Sequence, residues 1–508
     1  MLKKILIGIF LLIAVLAGVG WYLKPTVNGP LLDMILGRQI EAPEAETLKA
    51  RLKVPEGFQV GVFARDVPNA RMMRMTKTGD IVVTSNRTGS VFLLHRDGNG
   101  DGVSDGRSLL LSGLNAPHGV AFWDDYLYIA EETQIIRGIY DADKRELGTI
   151  EVIFTGMPSG GNHRTRTIGF DEAGMLYVTV GSSCNVCIEE EPYRAEMLQM
   201  NADGSGARTF ATGLRNSVGF DWHPETGGLF ATDNGRDLLG DDTPNCEVNL
   251  VEEGGDYGWP YAYDNRTPDP DYGIENPAKV SASLSPVHGF GAHRAPLGIK
   301  FLKSPNTPNE YQNTALAALH GSWNSSKLVG YKVVSLHFDD DGAVTEKDFL
   351  SGFELNEDVI GRPVDIEQGP DGAIYISDDY AGMIYRVGFG DVAVGFPGVE
   401  IIVPPKNPLA SIEPTELATN KAAGALIFNS NGCATCHVDG ATEGVQVKKL
   451  EDLKERYTLE TMQDLFLNPP GPMPSYEALS EAERRALAIF VLSSEEEIKK
   501  LAPPKVNF

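Results

Sequence analysis

One short alternation of apolar and polar positions recurs through the middle of the chain. A turn residue or two precedes an apolar strand ending in small or polar residues: TGDIVVTS at 78, DDYLYIAE at 124, AGMLYVTVG at 173, GGLFATDNG at 227, TALAALHGSWN at 314 and DGAIYISDD at 371. Within a copy, Ile374 and Ile376 alternate with Tyr375 and Ser377, the period-two pattern of a half-buried strand. Runs such as GYKVVSLHF and GMIYRVGF supply a following strand. The copies stand mostly about 50 residues apart, close to the ~40–50 of one four-stranded propeller blade. A longer fourth interval carries an insertion between Asp237 and His293. The pattern predicts an all-β six-bladed β-propeller over residues 55–390; paired β-sandwiches or a β-helix are the competing arrangements.

Both flanks read differently. Lys3 and Lys4 precede an uncharged apolar run from Ile5 to Leu23, with Trp21, Tyr22 and Lys24 at its end. Roughly 19 such residues just span a bilayer and exceed a signal-peptide core. Residues 1–24 are therefore expected to form an N-terminal transmembrane helix that places the rest on the periplasmic side of the inner membrane. A cleaved signal ending near Gly18 or Gly20 is the alternative. Residues 25–54 form a lead-in segment. At the other end a Pro-rich linker over 391–418 opens into a helical region over 419–508. Helices are expected at Lys421–Asn431 and Thr458–Asn468, with a Ser480/Glu483 capping box opening a last one.

That helical region carries NGCATCHVDG. In C-x-x-C-H, two thiols form thioethers with haem vinyl groups and the adjacent imidazole is brought onto the iron. Cys433, Cys436 and His437 fill those roles, and Met473 in PPGPMPSY stands where a sixth ligand is needed. The order of helix, CxxCH, Pro-flanked Met and terminal helix predicts an all-α class I cytochrome c domain with covalent haem c. A zinc or redox C-x-x-C is the alternative, and it lacks a second ligand pair nearby.

Charge and composition narrow the rest. With 44 Lys plus Arg against 70 Asp plus Glu, the net charge is −26, which repels phosphate backbones and sets nucleic acid aside. Against this acidic background, Arg and His recur beside the repeat strands: Arg87, His118, His163 with Arg164 and Arg166, Arg215 with Asn216, His320 with Trp323 and Asn324, and Arg362. Such a set implies one convergent cationic site for an anionic ligand. Asp97, Asn99, Asp101 and Asp105 alternate like a calcium loop, although position 12 is Ser108 and not Glu. Cys184 and Cys187 are spaced for a small disulfide-closed loop in an oxidising compartment. Cys246 has no obvious partner.

GDYGWP at 255, HGSWN at 320 and GRPVDIEQGPDGAIYISDDYAG at 361 resemble the soluble glucose dehydrogenase and sorbosone dehydrogenase family of pyrroloquinoline quinone (PQQ) enzymes. The resemblance runs from about Val54 to Val387 and implies oxidation of a sugar, sugar aldehyde or polyol. It makes His163 the general base and sets Arg215 and Asn216 against the PQQ carbonyls. It also places His118 beside substrate and cofactor, Arg362 on a PQQ carboxylate, and His320 and Arg87 as further PQQ contacts. The backbone carbonyls of Gly235 and Arg236 become calcium ligands, although Arg236 stands where the soluble glucose dehydrogenases have Pro. Electrons would pass from the quinone to the haem, and then to a soluble cytochrome c or a terminal oxidase. A calcium-dependent propeller lactonase and a non-enzymatic docking propeller are the rival readings.

Overall fold

The computed structural model describes residues 39–339, 342–397, 409, 412–438, 450, 453, 457, 459–467, 469 and 473–493. The expected membrane helix over 1–24 lies outside them. Among the described residues no helix is long and apolar enough to cross a membrane. The chain divides into two compact units, Met1–Pro397 and Gly398–Phe508.

The first unit is a six-bladed propeller of antiparallel four-stranded sheets, the second of which carries an extra two-residue strand, Glu146–Leu147. Each quoted repeat is the second strand of one blade: Ile81–Ser85, Tyr126–Ala130, Met175–Val180, Leu229–Asp233, Ala315–Leu319 and Ile374–Asp378, here blades I to VI. Blade VI draws its outer strand from the other end of the sequence. Phe58–Ala64 pairs antiparallel with Met383–Phe389, which closes the ring. Arg386 reinforces that closure, its guanidinium bridging Asp97 of blade I and Asp371 of blade VI at 2.9 Å each. Phe58 meets Tyr311 and Phe349 edge to face, so the closing strand is also packed into the apolar core.

The polar residues that end the repeats have a structural use. Thr84, Thr232 and Ser377 each donate a hydroxyl to a carbonyl of the next blade, His118 at 2.7 Å, Leu297 at 2.7 Å and Arg71 at 2.6 Å. Apolar strand bodies fill the space between blades, while these hydroxyls satisfy backbone groups around the channel. The insertion lies inside blade IV, between its strands Asn245–Val251 and His288–Ala292. It holds a two-stranded hairpin and the short helix Pro277–Ala282.

The second unit is helical: Pro414–Ser430, Ala434–His437, Leu459–Leu467 and Glu481–Ser493. The first helix begins earlier than predicted because Pro414 occupies N1, where its missing N–H is harmless. Gly424 lets first and last helices cross closely; a Cβ there would lie 2.1 Å from the Ala486 carbonyl oxygen. Phe428 and Phe490 pack edge to face beside the crossing. The expected capping box is present, with Ser480 N donating to Glu483 Oε2 at 2.8 Å and Glu483 N to Ser480 Oγ at 3.3 Å.

Candidate active site

In every blade the loop before the innermost strand and the end of the second strand meet at the same mouth of the channel. In three blades an acid ending the second strand holds that loop by its backbone. Glu131 accepts from Asn115 N at 2.5 Å, Asp233 from Arg215 N and Asn216 N at 2.9 and 2.6 Å, and Asp378 from Arg362 N at 3.0 Å. The following residue reaches to a neighbouring blade: Glu132 to Arg164, Asn234 to the Pro296 carbonyl, and Asp379 to Arg71 and His320. The sheet register therefore presents the basic side chains and fixes their backbones.

Blades V, VI and I build a cluster around one carboxylate. Asp379 accepts from Arg71 Nη1 at 2.9 Å, Arg362 Nη2 at 3.0 Å and His320 Nε2 at 3.0 Å. Burial alone would raise this carboxyl, but Arg362, His320 and Arg71 together hold it well below the usual range. Arg362 also lies over the Tyr380 ring, 4.8 Å from its centroid. Three donors in the cluster have no partner: Arg362 Nε, Arg362 Nη1 and Arg71 Nε, all buried. Asn324, also buried, leaves both amide atoms unpartnered four residues beyond His320. Single unpaired nitrogens also occur on arginines that only brace the fold, such as Arg166 and Arg386, but here three lie on two arginines that share one carboxylate, an arrangement that suits an anionic ligand.

His118 of blade II joins this cluster from below. Thr167 Oγ1 spends its proton on the Val218 carbonyl at 2.5 Å, so His118 Nδ1–H donates to that oxygen at 3.3 Å. Nε2 is then the acceptor for Arg71 Nη2 at 3.3 Å. Burial first, and Arg71 second, keep the imidazole neutral by lowering its pKa well below the usual value. His118 is fully buried, so its contact is with Arg71 and not with open space. Arg87 is exposed, and its field reaches Arg71. Burial brings the His320 pKa to about 4 despite the Asp379 carboxylate.

Blades III and IV carry the other half. His163 Nδ1 lies 3.0 Å from the Ser182 carbonyl oxygen and 2.9 Å from Ser182 Oγ, whose own proton goes to the Cys184 carbonyl at 2.8 Å. Nδ1 is therefore the protonated nitrogen, and Nε2 keeps its lone pair. Burial first, then the Arg215 guanidinium, lower this imidazole to a pKa of about 3. Gly181 makes room for the arrangement: a Cβ there would lie 2.5 Å from His163 Cβ and 3.0 Å from Asn216 Oδ1. Fully buried Arg166 fixes the loop by donating to the carbonyls of His163, Thr165 and Pro158. Arg164 turns away and pairs with Glu132.

Arg215 differs from Arg362 in having nothing to spare. Nε and Nη2 hold the Asn185 carbonyl and Oδ1 at 2.9 Å each; Nη1 holds the carbonyls of Asn234 and Gly235 at 3.1 and 3.0 Å; Nη2 also reaches Asp237 at 3.1 Å. Direct hydrogen bonding of this guanidinium to a quinone carbonyl, as the resemblance implies, would require giving up one of these. The same geometry bears on calcium. The Gly235 carbonyl already carries a guanidinium, and the Arg236 side chain is taken by Asp269 and Asp271 at 2.7 and 2.9 Å. The Gly235 carbonyl keeps a second lone pair beside that hydrogen bond, and the engagement of the Arg236 side chain does not involve its backbone carbonyl. The acidic loop does not fit a calcium ion: Asp97 is spent on the amides of Gly100, Asp101 and Gly102 and on Arg386. Asn99 and Asp101 bond each other, and Asp105 takes Gly98 N. Asp97, Asp101 and Asp105 do not bring three oxygens together; among the described residues only Cys184, Cys187 and Glu189 form such a group, and those two cysteines are disulfide-bonded. Cys246 is a buried free thiol.

Sequence reading missed Arg71, Asp379, Asp233 and Asn185. Arg71 has a usable signal: it precedes an innermost strand, the place that Arg215 and Arg362 occupy in their blades. At the opposite mouth a separate cleft of about 1010 Å³, lined by Trp123, Phe170, Trp222 and Lys300, shares none of these residues.

In the helical unit, Cys433 is buried, Cys436 is exposed and His437 ends the turn that begins at Ala434. Cys433 Sγ lies 3.8 Å from the Tyr476 hydroxyl, and burial pushes its thiol pKa up. Met473 packs against the core that contains Cys433, Met462 and Phe466. The two cysteines and the histidine thus occupy one helical turn on a core that also takes in Met473, as haem attachment requires.

Residues 419–491 match the family model described as cytochrome c oxidase, cbb3-type, subunit III. An uncharacterized protein of Borreliella burgdorferi is 33% identical over 362 residues, which is 68% of this chain and 92% of that one. The aldose sugar dehydrogenase YliI of Escherichia coli is 25% identical over 292 residues, 52% of this chain and 72% of the enzyme. In fold, the propeller is similar to the holo PQQ domain of a pyranose dehydrogenase from Coprinopsis cinerea, with TM-score 0.57, 20% identity, and coverage of 66% of this chain and 97% of that domain. Residues 125–386, just over half of the chain, match the glucose/sorbosone dehydrogenase model. The chain belongs to the glucose/sorbosone dehydrogenase family and carries a C-terminal cytochrome c domain.

Proposed function

We propose that the propeller binds pyrroloquinoline quinone, oxidises a sugar, sugar aldehyde or polyol, and delivers the electrons to haem c in the helical domain. The observation that carries this reading is the set of unused buried donors on Arg71 and Arg362, which suits an anionic cofactor bearing carboxylates. Arg362, Arg71, His320 and Asn216 would hold it, with Arg87 at the rim. When bound, PQQ supplies a two-electron acceptor that can be reoxidised one electron at a time.

His163 Nε2 is the base for the substrate hydroxyl proton, because Nδ1–H is tied to Ser182 and the ring is neutral. Arg215 supplies a fixed positive charge beside it, where negative charge grows as the proton leaves. His118 steadies Arg71. The backbone carbonyls of Gly235 and Arg236 would hold calcium, the Gly235 oxygen sharing itself with Arg215, and the ion would supply Lewis-acid polarisation of a bound carbonyl. Cys433 and Cys436 would hold haem c by thioethers, with His437 and Met473 on the iron. We place the enzyme on the periplasmic side of the inner membrane, held by residues 1–24 or released by their cleavage, with a soluble cytochrome c or terminal oxidase as acceptor. A lactonase would need convergent carboxylates on a calcium ion, and the described residues offer none.

The test is to add PQQ, with and without calcium, to haem-loaded protein with a panel of aldoses and to follow haem absorbance. Substrate-dependent haem reduction that requires PQQ is expected. Oxidised haem with every sugar, in protein that has bound PQQ, overturns the proposal.

A further inference from the structure

The turn Cys184–Asn185–Val186–Cys187 touches both halves of the proton-transfer machinery. Asn185 accepts two of the five N–H groups of Arg215, one on its carbonyl and one on Oδ1, each at 2.9 Å. Its Oδ1 also accepts Asp237 N at 2.8 Å, its Nδ2 donates to the Asp237 carbonyl at 3.0 Å, and its carbonyl receives Trp259 Nε1 at 3.3 Å. One residue thereby ties Arg215 to the start and the middle of the long blade IV loops.

The base of the turn reaches His163. Ser182 N donates to the Arg215 carbonyl at 2.8 Å, Ser182 Oγ donates to the Cys184 carbonyl, and both Ser182 oxygens face His163 Nδ1. Glu189 closes the turn from behind by taking Ser183 N and Oγ at 2.6 and 2.7 Å. Across the turn runs the Cys184–Cys187 disulfide. The cross-link adds a covalent restraint to a turn otherwise held by hydrogen bonds alone.

We propose that Asn185 is the positioning residue that holds Arg215 beside His163, and that the Cys184–Cys187 disulfide keeps Asn185 in place, so that opening the disulfide loosens Arg215 and weakens proton transfer at acid pH. The inference deepens the functional reading above and rests on it for its catalytic consequence. Opening consumes two electrons and two protons, supplied by a dithiol that ends as its own disulfide; Cys184 and Cys187 end as thiols. The effect of opening runs through Asn185 to Arg215.

Hydrogen exchange of the full-length holoprotein tests the positioning without relying on quinone chemistry. Amides in 213–218 and 234–238 are expected to exchange at least tenfold faster in C184S/C187S, in wild type opened with dithiothreitol, and in N185L. N185D retains both acceptors for Arg215 but loses the donor to the Asp237 carbonyl, so its amides in 213–218 are expected to stay within threefold of wild type. Wild-type exchange in N185L, or in dithiothreitol-opened protein whose thiols have been counted, overturns the proposal. Should C184S/C187S not fold, the opened wild type decides alone.

The catalytic arm uses PQQ-loaded N185L. His163 is faced by Arg215, Arg194 and Arg166, and loss of the first of these fields moves the acid limb of kcat/KM to higher pH. An unmoved limb with displaced Arg215 amides counts against the proposal. Failure of wild type to reduce haem would instead count against the dehydrogenase reading and leave the exchange result standing.

Discussion

The two arcs of the channel mouth use arginine in opposite ways. On the arc from blades V, VI and I, Arg362 and Arg71 share one carboxylate and keep buried donors unused. On the arc from blades III and IV, all five N–H groups of Arg215 are bound to the protein. The first arrangement is unfinished without a ligand, and the second is finished. Spare donors on two arginines sharing one carboxylate suit a ligand contact, whereas a saturated arginine acts at a distance, here by adding to the effect of burial in lowering the pKa of His163.

Removing the base gives the largest expected effect. H163N keeps a polar group of similar reach and is expected to lower the rate of substrate-driven haem reduction by about 10²–10⁴-fold, the usual contribution of a positioned general base. PQQ affinity, measured by titration of the same variant, should stay within a few-fold, since the arc that grips the anion is intact. A loss of binding as large as the loss of rate would erase the distinction between arcs.

The next effect is in stability. D379A leaves two buried guanidinium groups without their counter-charge, a change that costs about 3–5 kcal/mol. Thermal denaturation should show a large loss that PQQ partly restores, because an anion replaces the missing carboxylate. D237A on the other arc removes a partially exposed partner from an arginine with four other hydrogen bonds, and a smaller loss than that of D379A is expected. Equal losses in the two variants would mean that saturation does not separate the arcs.

A methyl group tests how tightly the finished arc is packed. G181A drives a Cβ against His163 Cβ and Asn216 Oδ1, and overpacking of this kind costs about 1–3 kcal/mol. Haem reduction should slow by roughly tenfold if the imidazole shifts to relieve the contact. G181S gives the same clash and serves as a repeat of the measurement.

How much of this could be read in advance follows from what is local. Each second strand announces itself by alternation within a few residues, so all six blades were visible, and so was the Cys184–Cys187 pair. Phe58–Ala64 gave no sign that it completes blade VI, because its partner strand lies more than 300 residues away. His163, His320 and Arg362 stand out as polar residues at strand ends. Arg71 is hidden in NARMMRM, which reads as plain strand. The saturation of Arg215 was out of reach, since its partners at 185, 234, 235 and 237 meet only when blades III and IV fold against each other. The helix before CATCH was shortened by reading Pro414 as linker when it is a helix start.

The smallest expected effect is an absence, and it turns on the sign of one shift. His163 works as a base only when neutral, and its pKa in the folded protein is lowered from the usual 6.5 to about 3. Protonation therefore sets in below the usual range, and kcat/KM should hold level as pH falls from 7 to 5. An ordinary histidine would lose about 25-fold over that interval. Measured on wild type, a limb near pH 6.5 would mean that Arg215 and burial do not act on the imidazole as the geometry requires. In N185L, where Arg215 is released, the limb should climb toward that value while the anion-gripping arc stays unchanged. That outcome would show the saturated arginine acting through its field, without touching the ligand.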